Sequence, residues 1–271
     1  MSRKSLVNLI SSTDKDYATD FLSSLEYTIT KRDVLDTHPS SCSMSPSSMK
    51  CTRAMAMKLA GVAKDEGKNS PSLVLICKNG SDTHQTLQEY MAGMKELGID
   101  CDYLDVAKYV EDHKLNLRIG KRCDFENKEF ETHLYDDEKH ISFLCDGIIK
   151  YKGHVMIVEI KTMPNNKLFA IKKDPSQIAK YKRQATAYSL LLDIPEVMFL
   201  LQGRDLCMLH TVIYKPTAEE KQALLNDIAM CNDYVSRHMI PAKPSNINKS
   251  ECAYCAYRKT CSKHNEEFAL D

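Results

Sequence analysis

The 271-residue chain is 43% hydrophobic, enough to bury the core of one large domain or of a domain with an appendage. Lysine plus arginine and aspartate plus glutamate balance at 37 each, which excludes a global basic field, so any nucleic-acid binding has to come from a local patch. The opening MSRKSLVNLISSTDKD has no long apolar h-region and no run approaches the roughly 18 residues of a membrane span, so a cytoplasmic protein with no membrane partner is expected.

Asp16–Leu35 reads as an N-terminal helical stretch, His38–Ser48 as a Ser/Pro-rich loop and Met49–Ala63 as a second helical stretch. The polar linker KDEGKNSPS follows. Gly61 to Lys68 is similar to a phosphate-binding loop, but five residues separate the glycines where four are needed and Asn69 replaces the Ser/Thr, which excludes an ATP site. Thr83–Leu97 is predicted as a helix stopped by Gly98, with His84, Leu87, Met91 and Met94 on one face. Glu129–Tyr135 alternates like a strand. Ser176–Asp193 is predicted helical, and Val197–Leu201 pairs with Cys207–Tyr214 around Gln202-Gly203-Arg204-Asp205. Thr217 to Glu220 is a capping box opening a last helix that runs to about Ile240. A meander joined to a crossover helix gives a mixed sheet with helices on its faces.

The stretch Ile141–Thr162, ISFLCDGIIKYKGHVMIVEIKT, is the densest in information. Two apolar runs flank a Lys152-Gly153 turn, and only Asp146, Glu159 and Lys161 bring charge into their interior. With a side-chain period of 2, Glu159 and Lys161 point to one face. If Ile141–Ile149 pairs antiparallel with the second run, Asp146 falls near Glu159. Two facing carboxylates repel unless one is protonated or a cation lies between them. One or two carboxylates commonly hold Mg²⁺, and a nearby lysine can orient water or neutralise charge in a phosphoryl transition state. A strand-end salt bridge between Glu159 and Lys161, with Asp146 serving the turn, is the plainer alternative.

Other constellations surround this hairpin. Eleven cysteines, an odd and mostly scattered set, argue against a disulfide framework. Cys252, Cys255 and Cys261 form C-x2-C-x5-C, a soft-thiolate set suited to zinc or an iron–sulfur cluster, with Cys51 or His264 as a fourth ligand. Gln184 and Tyr188 lie one helical turn apart on a face shared with Tyr181 and Leu191, which a packed core stripe also explains. Lys167, Lys172, Lys173, Lys180, Lys182 and Arg183 accompany a single acid, Asp174, forming a local basic patch able to carry salt-dependent DNA binding or simply a solvated helix face.

In this order the elements resemble the PD-(D/E)XK nucleases, and more narrowly the RecB-like branch with an iron–sulfur cluster, which includes the CRISPR spacer-acquisition exonuclease and AddB-type nuclease domains. The matching residues are His84 in GSDTHQTLQ, Asp146 in CDG, Glu159-Ile160-Lys161 and Gln184-Ala-Thr-Ala-Tyr188, with Cys51 upstream and three cysteines downstream. Cys145 stands where that family often has proline, and Phe143 where a glycine often precedes the Asp by three. The resemblance implies an α/β, restriction-endonuclease-like αβββαβ core with a mixed central sheet, extra N-terminal helices and a C-terminal cysteine cluster. It implies one nuclease domain over 1–271: an N-terminal helical region 1–63 with Cys51, a core over 80–240, and a segment 251–262 packing back on Cys51.

It further implies Mg²⁺ or Mn²⁺ held by His84, Asp146, Glu159 and the Ile160 carbonyl, with Lys161 positioning water or stabilising charge. Gln184 and Tyr188 would orient Lys161 or the DNA backbone, and the basic stretch would track the strand. A 4Fe–4S cluster on Cys51, Cys252, Cys255 and Cys261 would staple the termini, with Cys42 a rival to Cys51. The implied activity is a DNA exonuclease acting on single-stranded ends, supplied with its substrate by a separate helicase or recombination protein. A catalytically inactive nucleic-acid-binding module and a nuclease with structural zinc are the alternatives.

Overall fold

The computed structural model of the protein describes residues 17–32, 42–65, 70–245, 247, 249–253 and 255–270. The ends of the Asp16–Leu35 stretch, the start of the His38–Ser48 loop and residues 66–69 of the linker lie outside them. The chain divides into two compact units, Met1–Pro39 with Glu66–Asn79, and Ser40–Asp65 with Gly80–Asp271.

The first unit holds helix α1 (17–32), mostly exposed, and the opening turns of α3. Helix α2 (Thr52–Leu59) belongs to the second unit and buries Met55, Met57 and Leu59. Helix α3 runs Pro71–Ala92, so it begins well before the expected Thr83. Pro71 suits the first helical position, and the Ser70 hydroxyl accepts the Leu73 N–H at 3.2 Å. The Gly80-Ser81-Asp82 run reads as a break in sequence. A helix already nucleated crosses such a glycine at a cost of only about 1 kcal/mol. A short 3-10 turn, Lys95–Leu97, and Gly98 at φ 75° then end the segment.

The second unit is built on a five-stranded sheet: β1 (Cys101–Leu104), β5 (Gly147–Tyr151), β6 (His154–Met163), β7 (Val197–Gly203) and β8 (Leu209–Tyr214), adjacent in that order. Only β6 and β7 are parallel. Their crossover holds α5 (Asn165–Lys173), a 3-10 turn at Pro175–Ile178 and α6 (Ala179–Leu192). Between β1 and β5 lie α4 (Val106–Asp112) and a separate sheet of β2 (Arg118–Ile119), β3 (His133–Asp136) and β4 (Ile141–Leu144).

This corrects two expectations. Ile141–Ile149 is two strands in two sheets, interrupted at Cys145-Asp146. The first strand of the core meander is β1, and the predicted Glu129–Tyr135 strand is represented by β3 in the other sheet. The order α3, β1, β5, β6, α6, β7 is the restriction-endonuclease-like αβββαβ core, with a mixed central sheet.

Strand β6 separates two apolar clusters. Met156, Val158 and Ile160 pack with Leu87 and Met91 of α3, while Ile157 and Met163 join a larger core with Ala185, Tyr188 and Leu192 of α6. Glu159 and Lys161 alternate with the α3-facing row, so they share the parity of Ile157 and Met163. The hairpin turn between β5 and β6 is Lys152-Gly153, with φ 49° and 84°, the two left-handed positions of a tight two-residue turn.

Helix α7 (Ala218–Ser236) carries both bonds of its Thr217/Glu220 capping box and stops short of Ile240, which instead belongs to β9 (Met239–Ile240). Helices α8 (Lys249–Ala253) and α9 (Arg258–Ser262) carry Cys252 and Cys261, with Cys255 between them, and β10 (Phe268–Ala269) pairs with β9. This C-terminal segment is anchored on the region around α2. Arg53, buried, donates to the Asn265 and Glu266 carbonyls at 3.3 and 3.2 Å. Asp65 accepts the Thr260 N–H at 3.1 Å and its hydroxyl at 2.7 Å. No helix among the described residues is long and apolar enough to cross a membrane.

Candidate active site

The break between β4 and β5 creates the site. Main-chain groups that leave a sheet ladder need other partners, and three elements supply them here. Tyr188 of α6 donates its hydroxyl to the Leu144 carbonyl at 2.9 Å. Gln88 of α3 and Tyr103 of β1 both donate to the Asp146 carbonyl, at 2.8 and 2.6 Å. Gly147 follows at φ 157°, and a Cβ there would lie 2.5 Å from the Tyr103 hydroxyl oxygen, so the close approach requires glycine.

Asp146 is thereby held between α3 and β6. Its Oδ1 lies 3.1 Å from His84 Nδ1, and its Oδ2 accepts the Ile160 N–H at 2.7 Å. Glu159 is 1% exposed, and Lys161 pairs with its Oε1. Glu159 Oε2 is buried with no hydrogen-bond partner among the described residues. Burial first, and then the nearby Asp146 charge, push the Glu159 carboxyl above the ordinary carboxylate range. Burial alone would lower Lys161, but the Glu159 carboxylate outweighs it and raises the ammonium's pKa. Burial likewise opposes protonation of His84, and the Asp146 bond and charge reverse the sign, raising it.

The structure therefore brings together His84, Asp146, Glu159, Ile160 and Lys161. Gln184 and Tyr188 also reach this region, by a different route from the one expected. Gln184 donates to the Tyr188 hydroxyl at 3.2 Å, and Tyr188 fixes the Leu144 carbonyl. It is Tyr181 that Lys161 approaches, at 5.7 Å from the ring centroid.

The basic stretch is divided. Lys167, Lys172, Lys173 and Lys180 are exposed. Arg183 is ion-paired with Asp227 of α7, and the Lys182 ammonium stands 5.1 Å from the Tyr214 ring centroid. A guanidinium neutralised by a carboxylate contributes little to a phosphate track.

Sequence reasoning missed Glu131, six residues beyond Phe125 on the approach to β3. Ligating atoms of His84, Glu131 and Asp146 all lie within 4.8 Å of one another. Burial and then Asp146 raise the Glu131 carboxyl, and the Gln88 side chain reaches it. The Glu129/Glu131 alternation signals only a solvent-facing strand edge, so nothing local marked this residue.

Away from this centre lie the expected cysteines, Cys51 at the start of α2 and Cys252, Cys255 and Cys261 in the C-terminal segment anchored beside it. Burial raises the Cys51 thiol against the opposing main-chain bonds of Ala54 and Arg53, and the nearby Cys255 and Cys261 raise it further. Cys255 is raised by burial and feels both Cys261 and Cys252. Its Sγ accepts the Tyr257 N–H at 3.4 Å. Cys42, the rival, is exposed, with its Sγ 2.8 Å from where a Gly61 Cβ would stand.

No protein-family model matches the chain, and no curated protein matches it in sequence. Among solved structures, the crystal structure of SSO0001 is similar at 15% identity, with 87% of this chain and 95% of that chain covered and a TM-score of 0.45. The crystal structure of a phage related exonuclease from Haemophilus somnus 129PT is similar at 14% identity, with 72% and 94% covered and a TM-score of 0.34. Both scores fall below 0.5, and the functional reading stands on the geometry of the site.

Proposed function

We propose that the protein is a divalent-cation-dependent deoxyribonuclease that hydrolyses phosphodiester bonds, acting as an exonuclease on single-stranded ends. The observation that carries this reading is Glu159: a carboxylate set in the apolar row of a central strand, buried, with Oε2 unpartnered, beside Asp146 and Lys161. A charge so placed costs several kcal/mol unless something compensates. Lys161 compensates one oxygen. An oxygen-seeking cation fits the remaining vacancy in partners, and His84, Asp146, Glu159 and the Ile160 carbonyl would hold it.

When bound, Mg²⁺ or Mn²⁺ would supply Lewis-acid chemistry, activating water and polarising the scissile phosphate. The chain's own residues do the rest. Lys161, kept protonated by Glu159, donates to a non-bridging oxygen as the attacking water turns the phosphate pentavalent and its charge grows. Tyr188, Tyr103 and Gln88 fix the main chain on either side of Cys145, so Asp146 does not have to be ordered during the reaction. The exposed Lys167, Lys172, Lys173 and Lys180 follow directly on the catalytic strand and suit a strand's phosphates. With no ATP site in the sequence, unwinding falls to a separate helicase or recombination protein. Incubating the protein with end-labelled single strands, duplexes and circles, with Mg²⁺ and with Mn²⁺, tests this reading. Shortening from labelled ends that stops on chelation supports it, whereas metal-dependent DNA binding with no cleavage favours an inactive binding module.

The same reading assigns a 4Fe–4S cluster to Cys51, Cys252, Cys255 and Cys261. Its support is the influence of Cys255 and Cys261 on Cys51 and of Cys252 and Cys261 on Cys255, together with the N–H···S bond to Cys255, the kind of contact that tunes such clusters. Anaerobically purified protein is expected to be brown, with broad visible absorbance and about four irons per chain for a cluster of this type. A colourless preparation with stoichiometric zinc would refute the cluster and leave the hydrolytic site untouched.

A further inference from the structure

The ligand set inferred above leaves out a carboxylate that the fold places within ligating reach of two of its members. Glu131 comes from the segment that leads into β3, which belongs to the second sheet, yet its carboxylate shares a 4.8 Å space with His84 and Asp146. Ligand atoms on a single cation with bonds of about 2.0–2.1 Å stand roughly 3 Å apart in neighbouring positions and roughly 4 Å apart in opposite ones. The three side chains are already spaced to close on one ion. Independent of that cluster, Glu159 approaches Asp146 from β6 as a fully buried carboxylate with an unpartnered oxygen. Three carboxylates converge; Lys161 is the cationic partner the structure gives Glu159, and His84 Nδ1 lies 3.1 Å from Asp146 Oδ1.

We propose that Glu131 is a further ligand of the divalent-cation centre, joining His84 and Asp146 on the α3 side. This rests on the cation-dependent reading above and deepens it. One imidazole nitrogen with two carboxylates forms a borderline donor set, better matched to Mn²⁺ than to Mg²⁺, whose preference is for oxygen alone. Gln88 becomes a positioning residue for the centre, because it bonds the Asp146 carbonyl at 2.8 Å and reaches Glu131 as well.

The test is Mn²⁺ titration of the full-length protein without DNA, by calorimetry and by loss of the free-ion electron-spin signal. Glu131→Gln keeps the shape and hydrogen bonding of the side chain and is expected to weaken Mn²⁺ binding by roughly 10–100-fold. Without metal, the same variant should melt no lower than wild type, since it removes a carboxylate that faces Asp146; a merely structural Glu131 would give a lower melting point and unchanged Mn²⁺ affinity. Glu131→Asp retains the charge and should bind Mn²⁺ with intermediate affinity, so the assignment stays testable if Glu131→Gln folds poorly. Unchanged Mn²⁺ affinity in Glu131→Gln overturns the proposal. If Glu131→Gln loses Mn²⁺ while even the wild type cleaves no nucleic acid, the ligand assignment stands and the nuclease reading fails. If the wild type binds no Mn²⁺, both fail.

Discussion

Replacing Lys161 with alanine is expected to reduce cleavage by at least about 10²–10³-fold, the usual cost of removing one donor to developing transition-state charge, while leaving DNA binding intact. Lys161 sits at the end of the β6 row, with its ammonium committed to Glu159, whereas the exposed lysines of α5 and α6 are elsewhere in sequence. Stability should respond in a pH-dependent way. Removing one member of a buried pair costs about 3–5 kcal/mol when the partner stays charged. Glu159 can escape that cost by taking up a proton, because burial and Asp146 already raise its pKa. A carboxyl raised on folding binds more protons in the folded state, so the fold is favoured below the unfolded pKa and loses stability as pH climbs through the folded one. Lys161→Ala should therefore approach wild-type melting behaviour at mildly acid pH and fall behind as the solution becomes alkaline. Retention of wild-type cleavage rates in a folded Lys161→Ala protein would sink the mechanism.

Glu159→Gln should separate stability from activity most sharply. The substitution keeps volume and removes the charge that burial and Asp146 disfavour, while its amide oxygen can still accept from Lys161, whose side chain is 21% exposed against 1% for Glu159. By the same linkage, the advantage of Glu159→Gln over wild type in metal-free buffer should grow as pH rises. About 1 kcal/mol corresponds to roughly 2–4 °C in a domain of this size, so a gain of a few degrees is measurable by scanning calorimetry. Cleavage should fall by about 10²-fold or more, and added Mn²⁺ should stabilise this variant far less than wild type. A Glu159 that served only as a salt-bridge partner for Lys161 would give the opposite pattern, a metal-free melting point below wild type and a normal response to Mn²⁺.

What could be seen in the sequence depended on how local its cause was. The β5–β6 hairpin was legible because Lys152-Gly153 is a local turn and Met156–Ile160 is a strand segment buried on both faces. The pairing of Glu159 with Lys161 followed from side-chain parity alone. What divides a run such as Ile141–Ile149 is not its hydrophobicity but its tertiary partners: Tyr188, Gln88 and Tyr103 bond the Leu144 and Asp146 carbonyls where the run leaves the ladder, and no periodicity records that. Strand β1 escaped because Cys101-Asp102-Tyr103-Leu104 is short and half polar, with Asp102 ion-paired to Lys95. Glu131 escaped because its neighbours in space come from α3 and from the β4–β5 break, far from it in sequence. Arg183 reads as part of a phosphate track in sequence, because its partner Asp227 comes from α7, 44 residues away.

The most direct test of the central claim is the time course of a 5′- or 3′-labelled single-stranded DNA with wild-type protein and Mn²⁺, run in parallel with excess chelator. Progressive shortening that the chelator abolishes is the result expected from a cation centre built on His84, Asp146 and Glu159. An intact strand in protein that demonstrably binds Mn²⁺, or cleavage that persists unchanged with chelator, would contradict it.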